Sequence, residues 1–70
     1  MRIPANEFEP KKIIKMIRES TEKTQEQFAK EIGYSKMTIQ GYERGLRRYT
    51  FDTLLKIADM NGFKITIESK

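Results

Sequence analysis

Apolar residues recur at helical spacing in four successive runs, and then the pattern changes to alternation. The first run is Ile13, Ile14 and Ile17, with Met16 partly on the same face. Pro10 suits a first helical position, where its missing N–H costs nothing. A helix is therefore expected to open at Glu9-Pro10 and to fade at Ser20-Thr21. Phe8 stands where it can staple to Ile13. Thr24-Gln25-Glu26-Gln27 carries the capping-box signal, a Thr with Gln three residues on. Phe28, Ala29 and Ile32 follow as a short apolar face, and Gly33 sits where a left-handed cap residue is expected.

Ser35 caps the next helix. Stepping about 100° per residue, Lys36, Met37, Gln40, Gly41 and Arg44 fall on one arc and Ile39, Tyr42 and Leu46 on the other. The second arc is a core face. The first has no reason to be buried. Gly45 ends the helix, and Leu46-Arg47-Arg48-Tyr49 reads as a basic loop. Thr50 caps a fourth helix, with Phe51, Leu54, Leu55 and Ala58 inward, Ile57 at the edge and Gly62 closing it. Phe63-Lys64-Ile65-Thr66-Ile67-Glu68 alternates strictly, which is a strand period. The expectation is a mostly α fold: one compact four-helix domain over residues 1–70 with a C-terminal β-strand at about 63–68.

Size and composition sharpen this picture. A domain of about 60 residues buries only ~60% of the surface its unfolded chain exposes. Such domains are often helped by disulfides, a metal or oligomerisation. The 70 residues contain no Cys and no His, so disulfides and the usual zinc ligand sets are out and no cofactor is implied. Oligomerisation remains. The formal charge of +4, from 14 Lys+Arg against 10 Asp+Glu, suits nucleic acid and an ordinary soluble protein equally. No apolar run approaches the ~20 residues that span a bilayer, and the first residues turn polar at once, so a cytoplasmic location is expected. Catalysis finds no support: there is no HExxH, GxxxxGK[ST] or GxGxxG pattern, and the carboxylates are scattered over polar faces.

The decisive feature is spacing. Two short helices are separated by only Gly33-Tyr34-Ser35. A turn of three or four residues containing Gly is the helix-turn-helix pattern, here at about 24–45. The second helix of such a pair is slim enough for the major groove.

At Thr24-Gln25-Glu26-Gln27-Phe28-Ala29, Ile32-Gly33-Tyr34-Ser35, Thr38-Ile39, Tyr42-Glu43-Arg44-Gly45 and Thr53-Leu54-Leu55-Lys56-Ile57-Ala58 the chain resembles the Cro/C1-type, lambda-repressor-like helix-turn-helix regulators. The resemblance runs from about Ile13 to Gly62. It implies sequence-specific binding of double-stranded DNA and a regulator, expected to be a repressor, encoded by a bacterium, phage or mobile element. Lys36, Met37, Gln40 and Gly41 match base-facing positions. Gln25, Ser35, Arg44, Arg47 and Arg48 match positions that meet phosphates. Arg18 and Glu43 fall where relatives often have a partly buried ion pair.

The departures matter too. Many relatives carry Gly-Leu in place of Glu22-Lys23, and a Pro in place of Tyr49. The usual fifth helix is replaced by the strand. A lone strand must pair, either with Arg2-Ile3 or with its own copy in a second subunit. The second is favoured, giving a homodimer through Phe63, Ile65 and Ile67. The competing functional reading is a protein-interaction module, such as the antitoxin component of a toxin–antitoxin pair. RNA binding is weaker, for lack of an aromatic sheet platform or a GxxG loop.

Overall fold

The computed structural model describes residues 2–4 and 8–67, and orders them β1 (Arg2–Pro4), α1 (Pro10–Ser20), α2 (Gln25–Ile32), α3 (Lys36–Arg44), α4 (Phe51–Met60) and β2 (Lys64–Thr66). Local chemistry explains most boundaries. α1 starts on Pro10, and Glu9 precedes it without capping through its side chain. Thr24 accepts from the Gln27 N–H at 3.1 Å while the Thr24 N–H donates to Gln27 Oε1 at 3.0 Å, so the capping box is complete. Ser35 and Thr50 cap α3 and α4 in the same way, each accepting from an N–H three residues on at 3.1 Å. Such caps typically contribute about 1 kcal/mol each.

The core is built from Ile13, Ile14 and Ile17 of α1, Phe28, Ala29 and Ile32 of α2, Ile39 of α3, and Leu54, Ile57 and Ala58 of α4. α1 packs against both α3 and α4, and α2 against α3. Four helices and a small compact body are therefore present as the sequence pattern predicts.

Four inward assignments need correction. On α4 the buried stripe is Leu54, Ile57 and Ala58, while Phe51 and Leu55 are exposed. Both arcs satisfy the 3.6-residue period, and only the neighbours packed against the helix choose between them. Leu46, placed with Ile39 and Tyr42, is exposed because Gly45 adopts a left-handed conformation and turns the chain off the helical phase. Phe8 is also exposed.

The strand β2 finds its partner within the chain. It pairs in parallel with β1, in the register Arg2↔Lys64, Ile3↔Ile65, Pro4↔Thr66. Parallel strands need a long crossover, and here the whole helical body supplies it. Phe63 and Ile65 consequently pack against the chain's own core, whereas Ile67, beyond the last paired residue, is exposed. Of the two alternatives open from the sequence, pairing with Arg2-Ile3 is therefore present; it uses one edge of β2 and leaves the pairing of two copies through the other edge untested. Part of the predicted strand, Glu68, lies outside the described residues.

Glu22, in the turn between α1 and α2, is the one non-glycine with positive φ among the described residues, at 58°. A Cβ in that region is disfavoured by roughly 1–2 kcal/mol, part of which glycine returns through its freer unfolded chain. Glu22→Gly is therefore expected to raise stability by about 0.5–1 kcal/mol, and Glu22→Ala to give none of that gain. Urea titration of the three proteins measures it. Equal stability of the Gly and Ala variants would show that the turn carries no such strain.

Candidate nucleic-acid interface

The turn between α2 and α3 is set by three residues. Gly33 caps α2 at φ 79°, and the Tyr34 N–H donates to Ala29 O at 2.8 Å. Ser35 then starts α3. Its hydroxyl accepts from the Thr38 N–H and lies 2.9 Å from the Thr38 hydroxyl. Ile39 of α3 is fully buried, which fixes the rotation of that helix and leaves its other side outward.

A polar clamp holds the same rotation. Arg18 Nε donates to Glu43 Oε2 at 2.7 Å and Nη2 donates to Oε1 at 2.9 Å, a bidentate pair between α1 and α3. The third guanidinium nitrogen, Nη1, donates to Lys23 O at 2.9 Å. Gln25 Nε2 also donates to Glu43 Oε1, at 3.2 Å. The side chains are 15% and 4% exposed for Arg18 and Glu43, so the pair is largely out of water. Hydrogen bonding to Glu43 raises the Arg18 pKa above its ordinary value, against the opposing effect of burial. Glu43 therefore ties three helices together, with Gln25 at the very start of α2.

The outward side of α3 carries Lys36 and Arg44 exposed, Gln40 half-buried and Met37 74% exposed. Arg47 and Arg48 follow in an exposed loop. Gly41 departs from the expected exposed arc: it is buried, because the loop turns back on it. Leu46 N–H and Arg47 N–H both donate to Gly41 O, at 2.9 and 3.1 Å, and the aliphatic stem of Arg47 lies across it.

An aromatic ladder backs this surface. Tyr34 and Tyr42 meet edge to face with centroids 6.3 Å apart, and Tyr42 and Tyr49 at 5.3 Å. Lys56 Nζ lies 5.6 Å from the Tyr34 ring centroid. The Tyr49 hydroxyl donates to Pro10 O, joining the basic loop to the start of α1. Burial pushes the Tyr49 pKa up to about 12, so the phenol keeps its donor even well into the alkaline range. Sequence patterning gives no hint of the ladder, since its three tyrosines come from the turn, the helix and the loop.

The model of a family described as helix-turn-helix matches residues 14–67, most of the chain. This chain belongs to that helix-turn-helix family. Comparison with curated proteins and with solved structures gave no match. As a helix-turn-helix protein of the Cro/C1 type it is a DNA-binding regulator of transcription. Among its described residues no helix is long and apolar enough to cross a membrane. Its α3 is the second helix of the motif and carries the row Lys36, Met37, Gln40.

Proposed function

We propose that this helix-turn-helix protein is a sequence-specific repressor that lays α3 in the major groove of a near-palindromic operator. One observation carries the reading: the outer side of α3 offers polar and flexible side chains to solvent while its inner side is locked by Ile39 and Glu43. A recognition element has to be rigid in backbone and open in side chain. In this reading Gln40 pairs bidentately with adenine, Lys36 donates to guanine and Met37 meets a thymine methyl. Gln25, Ser35, Arg44 and Arg48 meet phosphates, which position the protein without reading sequence. Two copies bind together, with their recognition helices about 34 Å apart, one turn of the duplex. The protein works in the cytoplasm of a bacterial host and catalyses nothing.

Selection from a random duplex pool at near-physiological salt is expected to recover a two-fold symmetric motif. On that motif, Gln40→Ala should lose about 1–3 kcal/mol of discrimination at one base position. Arg48→Ala should weaken every sequence alike and reduce the salt slope by about one. An unenriched pool, or two variants that behave identically on all sequences, would refute the division into readers and anchors.

A second reading, a protein-interaction module such as an antitoxin, draws on the exposed Phe51, Leu55 and Met60 of α4. Salt-steep duplex binding by the isolated protein favours the first reading; binding that requires a co-purified partner favours the second.

A further inference from the structure

The outward row of α3 has a gap at position 41. Gly41 lies within the helix, where its backbone is ordinary, so nothing in the main chain demands a glycine there. A glycine inside a helix is disfavoured against alanine, which makes the space above it the feature to explain. That space is filled. A Cβ at position 41 would stand 2.9 Å from Arg47 Cγ, 3.0 Å from Cδ and 3.4 Å from Cβ. The stem of Arg47 thus occupies the volume that a side chain at position 41 would take. The Leu46 and Arg47 N–H groups, both bonded to Gly41 O, hold the loop down on the helix. Arg47 also shares one shallow depression with Met37, Gln40, Gly41, Arg44 and Leu46. The loop cation is therefore part of the same surface as the reading row.

We propose that Arg47 is a specificity-determining residue: seated on Gly41, it supplies hydrogen-bond donors at the place in the reading row where α3 has no side chain, and it selects guanine. This rests on α3 being the reading helix, as proposed above, and it moves Arg47 from the phosphate-contacting group to the readers. An arginine fork fits a phosphate as well as a base edge, so what favours a base is the seat of the stem, on the reading helix and in one depression with Met37 and Gln40. An arginine with its stem packed in place presents a planar fork, which matches the O6 and N7 acceptors of guanine. Gly41 is a positioning residue in this arrangement and acts through Arg47.

Two measurements test it. The first needs no DNA. Gly41→Ala in the wild-type background must push the Arg47 stem aside, so Tm is expected to stay level or fall. In an Arg47→Ala background only the Cβ remains, at 3.4 Å, and the same change should raise Tm by roughly 2–8 °C from helix propensity. Equal shifts in both backgrounds would mean that Arg47 does not sit on Gly41, and the inference fails. The second uses the selected operator and its single-base variants. Arg47→Ala, Arg47→Lys and Gly41→Ala should each lose roughly 5- to 150-fold of preference for guanine at one shared position. The other positions keep their preferences. Arg47→Lys that binds like wild type, or Arg47→Ala that weakens all sequences equally, overturns the inference and returns Arg47 to the backbone. If wild type enriches no motif at all, the assignment of α3 as a reading helix falls and this inference falls with it.

Discussion

Glu43→Ala is expected to destabilise the protein by about 3 kcal/mol, the lower end of what breaking a buried ion pair costs. The Glu43 carboxylate is almost wholly buried and accepts from two Arg18 nitrogens and from Gln25. Removing it strands the Arg18 guanidinium between α1 and α3 with only Lys23 O as a partner. The lower end applies because Arg18 keeps some contact with solvent. A domain of this size has roughly 4–10 kcal/mol of stability in total, so such a loss is a large part of it. Arg18→Met should destabilise for the mirror reason, leaving the carboxylate without its cation. The double variant Arg18→Met with Glu43→Leu strands neither group and should be more stable than either single variant. Chemical denaturation of wild type, Arg18→Met, Glu43→Leu and the double variant closes this cycle. Additive losses would show that the clamp does not act as a unit.

Phe28→Ala should cost about 3–5 kcal/mol, the usual range for truncating a buried Phe. Phe28 is 0% exposed and is among the largest fully buried side chains. It is also the middle of the short helix α2, which has Ala29 and Ile32 as its other buried anchors. A helix of eight residues is not stable by itself in water, so its place beside α3 depends on that ring. The variant should be substantially unfolded near 37 °C, and circular dichroism against temperature measures it. A loss under 1 kcal/mol would mean that α2 is seated by its caps and not by its core contacts.

Much of the architecture was legible because it is written in local chemistry. The Thr24 box, the Ser35 cap and the Gly33 stop act within one turn of chain, and the structure forms each of them. The choice of inward face is less local. α4 offers Phe51, Leu54, Leu55, Ile57 and Ala58 within ten residues, and sequence period alone allows two overlapping stripes. Packing against α1 and β2 selects the one that buries Ile57. The helical angle puts Gly41 on the outer arc, but the loop that returns over it is a contact six residues away in the chain. The partner of the final strand lies farther still. Alternation identifies a strand, yet says nothing of what it pairs with.

That distant pairing has a kinetic consequence. Ile3 opposite Ile65 closes a ring of about 60 residues, and the entropy lost on closing a loop grows with its length. The contacts of α2 with α3, by contrast, join neighbours in the chain and form early. The helical body is therefore expected to assemble first and the parallel clasp to zip last. In the native state it should open and close many times before the helices let go. Hydrogen exchange would then find two tiers of protection in one small protein, a shallow one at β1 and β2 and a deep one at Ile14, Phe28 and Ile39.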